Sequence, residues 1–285
     1  MRSIVNGIIA ACIALLSSAS AAESPSIDES QMWVPSLALT SGMLVGVARA
    51  DVSSSVRPSA NNTESIVAPW LGGSLEIMTP AWEPLGRRTR FFVHGGLAGN
   101  VGFERNLAKE GGPGALIAPT GQAFLDERLV QGQGSVTRAE PTDFQASAGI
   151  GVSITIDTEW RRVRVKPSFE YLVEELEISG LVHRAVLVDP AIPPFNLFVI
   201  SGSEEKYFHS IGPGLEIEAD IVRKGPVLLA LTASGGAYHV LGDRDVVISS
   251  VDSTGAESAT WRYRRDAWTY RFHVGLRLRW APKAD

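Results

Sequence analysis

Serine and histidine side chains beside an acidic group can carry out nucleophilic catalysis, because the histidine accepts the hydroxyl proton while the acid orients the ring. The sequence places one such pair side by side, at His209 and Ser210. Adjacent residues of a β-strand point to opposite faces, so these two side chains cannot act together. His94 and His273 lie on polar strand faces, where a hydrogen-bonded structural role is expected. No residue spacing meets the requirement of a hydrolase mechanism, and we expect no catalytic residues and no enzyme.

The residues also predict no cofactor and no metal site. The single cysteine, Cys12, lies in the N-terminal apolar segment, so a mature chain without that segment could form no disulfide and no thiolate site. The run Asp243-Arg244-Asp245 has two carboxylates, too few for calcium. A formal net charge of −5 argues against a nucleic-acid partner, which would require a strongly basic face.

Charged side chains in the middle of alternating apolar segments are the most informative chemical feature. They fall on the polar faces of the predicted strands: Glu76, His94, Glu104, Arg162, Arg164, Lys166, Glu170, Glu174, Glu216, Glu218, Asp220, Arg271, His273, Arg277 and Arg279. Acidic residues dominate one segment and basic residues two others, so interleaving them would neutralise charges that are costly to bury singly. We interpret the set as a salt-bridge network that fills an interior. A narrow polar conduit or a ligand pocket is the alternative, for which glycines on the same faces would leave space.

The clearest element that must position these charges is the alternating stretch Trp268 to Trp280. Every second residue is apolar or aromatic, and the opposite face carries Arg271, Arg277 and Arg279. A uniformly apolar face of this length, with tryptophan at both ends, is typical of a strand that crosses a bilayer. The stretch therefore predicts a transmembrane β-strand.

Seven further segments alternate in the same way. The eight predicted strands are Leu37 to Ala48, Ile66 to Met78, Arg90 to Glu104, Phe144 to Ile156, Arg162 to Leu176, Tyr207 to Ile221, Val227 to Tyr238 and Trp268 to Trp280. Pro167 interrupts the fifth strand, where it is expected to mark an edge or a bulge.

The connections between the strands alternate in length. The first connection, Ala50 to Glu64, is a longer polar stretch, and residues 105–142, 180–204 and 241–262 are predicted as long loops. The connections between these four are short turns. Four tryptophans lie at strand ends on the short-turn side, as a membrane-interface girdle would: Trp33, Trp82, Trp160 and Trp280. The pattern predicts an all-β fold, an eight-stranded antiparallel up-and-down transmembrane β-barrel with short periplasmic turns and long external loops.

The N-terminus predicts export. Residues 1–22 have the charged, apolar and small-residue regions of a signal peptide, although the residues before Cys12 could instead imitate a lipoprotein cleavage box. We expect a short periplasmic lead over 23–35, a transmembrane barrel over 36–281 and a periplasmic tail over 282–285. After the signal no apolar run is long enough for a membrane helix, so we expect the cell outer membrane as the location.

In its architecture the chain resembles the eight-stranded Gram-negative outer-membrane barrels of the OmpA, OmpX or OmpW-like kind. The last strand resembles the barrel-assembly signal of that class at His273, Gly275, Leu278 and Trp280, although Ala281 to Asp285 extend beyond the usual terminal aromatic residue. The resemblance implies outer-membrane lipid, lipopolysaccharide and the assembly machinery as partners. We expect no peptidoglycan-binding domain after the barrel, so the resemblance does not imply an anchoring role.

The leading hypothesis for function is a structural or surface-interaction role, with the external loops as the working surface and the lumen filled by charges. The alternatives are a narrow, porin-like channel or transporter of a small or apolar solute, and an enzyme that modifies lipid A, which some similar barrels do. A soluble lipocalin-like barrel would reverse the two faces, and it would leave the mid-strand arginines outside.

Overall fold

The computed structural model describes residues 31–55, 60–82, 84, 88–102, 105–110, 133–159, 161–186 and 196–280. The predicted signal peptide, most of the predicted periplasmic lead, the predicted C-terminal tail, Glu104 and Trp160 lie outside these residues. The described part contains ten β-strands: β1 (Val34–Ser54), β2 (Ala60–Ala81), β3 (Thr89–Asn100), β4 (Arg105–Glu110), β5 (Gln133–Asp157), β6 (Arg162–Val186), β7 (Asn196–Lys224), β8 (Val227–Leu241), β9 (Asp245–Val251) and β10 (Ser258–Trp280). None of its helices is long and apolar enough to cross a membrane.

The strands form one antiparallel sheet that closes on itself through pairing of β1 with β10. Two positions of the ring are each occupied by two successive strands. β3 and β4 both pair with β5, while β8 and β9 both pair with β10. Gly102 and Gly242 lie in the two interruptions with φ of 60° and 71°, a left-handed conformation that glycine adopts without strain. The ring is therefore eight-stranded, and the predicted fold class is confirmed.

One end of the ring has an apolar exterior. Leu39, Leu75, Leu97 and Ile150 each expose 64–65% of their surface. This belt extends from Trp33 and Trp280 near the short turns to Trp268 near the long connections. A continuous apolar belt around a closed sheet is the exterior that a barrel presents to lipid. We call this part of the ring the membrane tier.

Beyond the belt the strands continue and their polarity reverses. On β6 the outward residues change from Phe169 and Tyr171 to Glu175 and Glu177, while the inward residues become apolar. We call this part the outer tier. It comprises residues 48–54, 60–66, 105–110, 133–143, 172–186, 196–208, 245–251 and 258–267. A polar exterior around an apolar interior is the arrangement of a water-exposed β-domain.

The outer tier is a sandwich of two four-stranded sheets. Within the described residues, ladders join β9, β10, β1 and β2 in one sheet and β4, β5, β6 and β7 in the other. Side chains bridge the two seams between these sheets. The Asn62 Nδ2 donates to the Leu107 carbonyl at 2.8 Å, and the Lys206 Nζ donates to the Asp245 carbonyl at 2.6 Å. At the second seam the backbone N–H of Asp245 and the Lys206 ammonium lower the pKa of the exposed Asp243 carboxyl.

Trp261 is the largest side chain in the core of the outer tier. Its indole is fully buried, and it lies against Gly180 of the facing sheet, where any Cβ would overlap the ring. Ile178, Ile200 and Ile248 belong to the same buried cluster. Tyr263 is also buried there, which raises the pKa of its hydroxyl. The outer tier therefore has an apolar core of its own.

The described parts of the segments predicted as long loops are largely strands. Residues 105–142 contain β4 and the start of β5, 180–204 contain the end of β6 and the start of β7, and 241–262 contain β9 and the start of β10. The predicted strands ended too early, because the outward apolar residues that define them end where the polarity of the two faces reverses.

Pro167 lies in an interior strand of the ring. The β5–β6 ladder is interrupted between Gly151↔Ser168 and Ile154↔Val165, and the register is the same on both sides of the gap. Proline has no N–H to donate, so the wall loses hydrogen bonds there. The expected edge or bulge is therefore an interruption of the ladder instead.

Replacing Trp261 with alanine is expected to destabilise the outer tier by about 3–5 kcal/mol, because a large buried aromatic side chain leaves a cavity. We expect limited trypsin digestion to cut at Arg262 or Arg264 while the membrane tier still migrates as a folded band on unboiled gels. Trp268→Ala, at an exposed position of the same strand, is the control. Equal protease resistance of the two variants would contradict an independent outer core.

Candidate functional site

The interior of the membrane tier near the short turns holds a buried network of charges. Four strands supply it from their inward faces, and the register of β6 with β7 places Arg164 opposite Glu218 and Lys166 opposite Glu216. Strands β2 and β10 contribute across the lumen. The network contains four cationic and four acidic side chains: Arg164, Lys166, Arg277 and Arg279 with Glu76, Glu216, Glu218 and Asp220. The network as a whole has no formal net charge.

Glu218 lies at the centre of this network and is fully buried. Its carboxylate accepts from the Arg279 Nη2, from the Arg277 Nη1 at 3.2 Å and from the Arg164 Nη1 at 3.3 Å. The Lys166 Nζ lies 3.8 Å away. Because several cations surround one carboxylate, removal of its charge would leave buried positive charges that repel each other.

The remaining acidic groups complete the pairing. Glu76 accepts from Lys166 and, at 2.8 Å, from the Arg277 Nη1. Glu216 accepts from the Lys166 Nζ at 2.7 Å and from the Arg277 Nη2 at 2.9 Å. The network therefore crosses the whole lumen.

A second polar cluster lies above the network, around Glu170. Its carboxylate accepts hydrogen bonds from the Ser168 hydroxyl and from the Tyr238 hydroxyl, each at 2.6 Å. The Nε2 of His94 is 3.7 Å from the same carboxylate. The Arg271 guanidinium stacks on the ring of Trp70 at 4.1 Å. All of these side chains except that of Tyr238 line a cavity of about 30 Å³, which is room for one or two water molecules.

A buried ion pair separates this cavity from the outer tier. The Arg265 Nη2 donates to the Glu174 carboxylate at 2.5 Å, and the guanidinium lies 5.0 Å from the centre of the Phe208 ring. At the opposite end of the barrel, Arg90 donates to the carbonyls of Thr79 and Met32 at 2.6 and 2.5 Å.

Sequence reasoning missed Arg265 and Arg90. Arg265 lies just before the predicted last strand, so its face was never assigned. Arg90 was the first residue of a predicted strand, and its inward position follows from the alternation with Phe92 and His94.

The other predicted site residues are distributed as follows. Arg162 lies at the periplasmic rim, where its Nε donates to Asp157 at 2.9 Å, and it is not part of the network. The Oγ of Ser234 is 3.3 Å from the Nδ1 of His273. Three girdle tryptophans are exposed near the short turns: Trp33, Trp82 and Trp280.

His209 and Ser210 point to opposite faces of β7. His209 lies outside and contacts the Tyr171 hydroxyl at 2.5 Å, whereas Ser210 is buried inside. Within the described residues, no group of three or more His, Cys, Asp or Glu side chains could hold a metal ion. The cavity that the described residues enclose in the membrane tier is about 30 Å³ in volume.

A closed antiparallel ring of eight strand positions, apolar outside and charged inside over the belt, defines a transmembrane β-barrel of the outer-membrane type. The protein is located in the outer membrane.

Solved outer-membrane proteins are similar to this chain in structure. The outer-membrane protease OmpT from Escherichia coli has 8% identity and a TM-score of 0.35, with 92% of this chain and 100% of that chain covered. A major outer-membrane protein from Thermus thermophilus has 13% identity and a TM-score of 0.33, with coverages of 84% and 99%. The attachment invasion locus protein Ail of Yersinia pestis has 10% identity and a TM-score of 0.25, with coverages of 84% and 97%.

No protein-family model matches the chain, and no curated protein matches it significantly in sequence. The geometry of the ring and of its two faces defines the class.

The substitution Glu218→Gln is expected to destabilise the barrel by about 3–5 kcal/mol, because it breaks a buried ion pair from one side. Urea unfolding in phospholipid vesicles, followed by tryptophan fluorescence, measures the change. Glu205→Gln, at an exposed position of the same strand, is the matched control. We further expect Arg279→Met to offset part of the loss in the double variant, since the two residues are in direct contact. Strictly additive effects would contradict the network.

Proposed function

We propose that this protein is a non-conducting outer-membrane barrel that holds an interaction platform above the membrane. The observation that carries the proposal is that both tiers are filled, but by different means. The membrane tier contains a charge network with a cavity of about 30 Å³, and the outer tier contains the packed core around Trp261. A solute that crossed the barrel would have to displace both the charge network and the packed core.

The outer tier supports the platform role. Its strands extend the ring beyond the lipid belt, and its exterior carries exposed polar and charged residues. A rigid, water-exposed sandwich of this kind raises the far ends of its strands above the lipid headgroups. Binding residues are most often carried by loops on such rigid scaffolds.

Conductance separates this proposal from a channel. We expect the purified protein, reconstituted into planar bilayers, to give no resolved current steps, while a general porin recorded in the same bilayers conducts. The Trp261→Ala variant is also expected to give no current steps, because the charge network in the membrane tier is unchanged. Reproducible steps in the wild-type protein would support the channel alternative and overturn the platform proposal.

The lipid-modifying alternative has less support. Ser234 and His273 approach each other, but they face the small enclosed cavity, which a lipid headgroup could not enter. We expect the mass of lipid A in cells to be the same with and without the protein. A changed mass that depends on Ser234 would overturn this view.

Lipopolysaccharide is the partner that the exterior favours. Arg49 of β1 and Arg264 of β10 are directly opposite each other on the outward face, and Asp51 and Arg262 form the next pair above the belt. Arg49 and Arg264 each expose 59% of their side chains, and their nearest acidic groups are 3.4 and 3.5 Å away. Exposed pairs of this kind contribute little stability, so the guanidinium groups are available to bind phosphate.

The variant with Arg49→Glu, Arg262→Glu and Arg264→Glu is expected to bind lipopolysaccharide at least about tenfold more weakly, since charge-assisted hydrogen bonds to phosphate are lost. Native mass spectrometry of the purified protein with added lipopolysaccharide measures the bound fraction. Lys224→Glu, which changes an exposed cation at the periplasmic end, should bind as the wild-type protein does. Equal loss in both variants would mean that the effect is one of net charge.

A further inference from the structure

Arg271 is a buried cation in the membrane tier. It occupies an inward position of β10, opposite Leu44 of β1 and Gly236 of β8, and only 8% of its surface is exposed. The residues on either side of it, Tyr270 and Phe272, face the lipid. An ionisable side chain at this depth is costly to keep without a partner, so its surroundings indicate what role it has.

Among the described residues Arg271 has no acidic partner, unlike the other cations of the lumen. The four cations of the network pair with carboxylates, Arg265 pairs with Glu174, and Arg90 donates to two backbone carbonyls. The Arg271 guanidinium instead stacks on the ring of Trp70 at 4.1 Å, and its Nε has no hydrogen-bond partner. No direct contact therefore neutralises its charge.

Glu170 borders the same cavity as Arg271 but does not pair with it. The two carboxylate oxygens of Glu170 accept from the hydroxyls of Ser168 and Tyr238, each at 2.6 Å, and the Nε2 of His94 is 3.7 Å away. No hydrogen bond or ion pair joins this carboxylate to Arg271 in the described part of the chain. A guanidinium has only donors, so Arg271 requires an acceptor that the surrounding side chains do not supply.

The cavity beside Arg271 has room for a very small guest. Its volume is about 30 Å³, and the hydroxyls of Ser74, Ser147 and Ser234 also border it. A hydroxyl rotates to donate where its neighbour is an acceptor. The volume admits one or two water molecules or one monatomic anion, and it excludes phosphate, sulfate and larger anions.

Both ends of the cavity are closed. Toward the outer tier it is covered by an apolar cluster that includes Leu44 and Leu172, and beyond this cluster by the ion pair of Arg265 with Glu174. Toward the periplasm lies the charge network around Glu218. Bulk water therefore does not reach the Arg271 charge, and a guest in the cavity exchanges slowly with the solvent.

The charge balance of the lumen favours an anion over water as the guest. Between the periplasmic rim and the outer tier, the described lumen has seven cations and six carboxylates: Arg90, Arg164, Lys166, Arg265, Arg271, Arg277 and Arg279 with Glu76, Glu170, Glu174, Glu216, Glu218 and Asp220. One bound anion makes the two signs equal. Hydrogen bonds between a guanidinium and an anion are also about twice as strong as those between neutral groups.

We propose that the cavity binds one monatomic monovalent anion of the chloride class, held by the Arg271 guanidinium and the serine hydroxyls around it. The anion is a structural part of the closed lumen. It neutralises the cation that the network leaves unpaired, and it fixes the guanidinium against Trp70. The site does not depend on the platform role or on the arginines that face lipopolysaccharide.

Bromide is the probe for this site, because it replaces chloride and scatters X-rays anomalously. The protein is refolded into detergent in sodium bromide, so that the site fills as the barrel closes, and crystals are measured at the bromine absorption edge. We expect one anomalous peak inside the lumen, beside Arg271. Arg271→Gln should lose this peak, whereas Arg162→Gln, at the periplasmic rim, should keep it. A lumen without a bromide peak, which means water only, would overturn the proposal, as would peaks confined to exposed arginines.

Unfolding in two salts tests the same site in solution. Chloride and gluconate are compared at equal ionic strength, since gluconate is too large for the cavity. We expect the folded band on unboiled gels to disappear at least about fivefold more slowly in chloride, because a ligand that binds only the folded state stabilises it. Arg271→Gln should show equal rates in the two salts. Ser147→Val, which removes a hydroxyl from the cavity wall, is the second variant if Arg271→Gln does not fold. Equal rates for the wild-type protein would contradict the anion site.

Discussion

The change of solvent along each strand is the constraint on which the rest of the structure depends. In the hydrocarbon region every backbone polar group must be paired within the protein, so the sheet has to close through β1 and β10. Closure of eight strand positions leaves an interior just wide enough for side chains. The exterior there must be apolar, and the interior receives the polar residues. Above the belt the exterior meets water. There the outward residues of each strand are mostly polar and the inward residues are mostly apolar.

This reversal explains why one ring contains two kinds of interior. On β6, Glu170 and Glu174 face a polar lumen, whereas Leu176 and Ile178 face an apolar core only a few residues later. The direction of the side chains does not change, and only the polarity of the two faces is exchanged. In the outer tier the strands can therefore form two separate sheets. Water can satisfy the backbone groups that are left unpaired at the seams beside β4 and β9.

How far the sequence could predict the structure follows from this exchange. The faces of the strand from Trp268 to Trp280 follow from its alternation alone, because every apolar residue there meets lipid and every arginine meets the lumen. The outer parts of the strands could not be found in that way. Trp261 and Tyr263 alternate with Arg262 and Arg264, but their apolar face points inward.

The ion pairs inside the lumen could likewise not be predicted from the sequence. Alternation assigns Arg277 and Glu76 to the interior, but it does not state which cation meets which carboxylate. Those pairs depend on the register between strands and on contacts across the barrel, such as those between β10 and β7. Arg162 illustrates the point, because it has the parity of an inward residue and yet pairs with Asp157 at the rim.

Stability alone does not explain why charges, and not an apolar core, fill the membrane tier. Well-packed apolar residues of similar volume often match or exceed the stability of buried ion pairs. Register offers a better reason, because a shift by one residue exchanges the two faces of a strand. Such a shift of β10 would move Arg271, Arg277 and Arg279 into lipid, at a cost of about 2–4 kcal/mol for each arginine near the bilayer midplane. A strand with two apolar faces would have no such penalty, so the lumen charges fix the register on which the pairing of the whole ring depends.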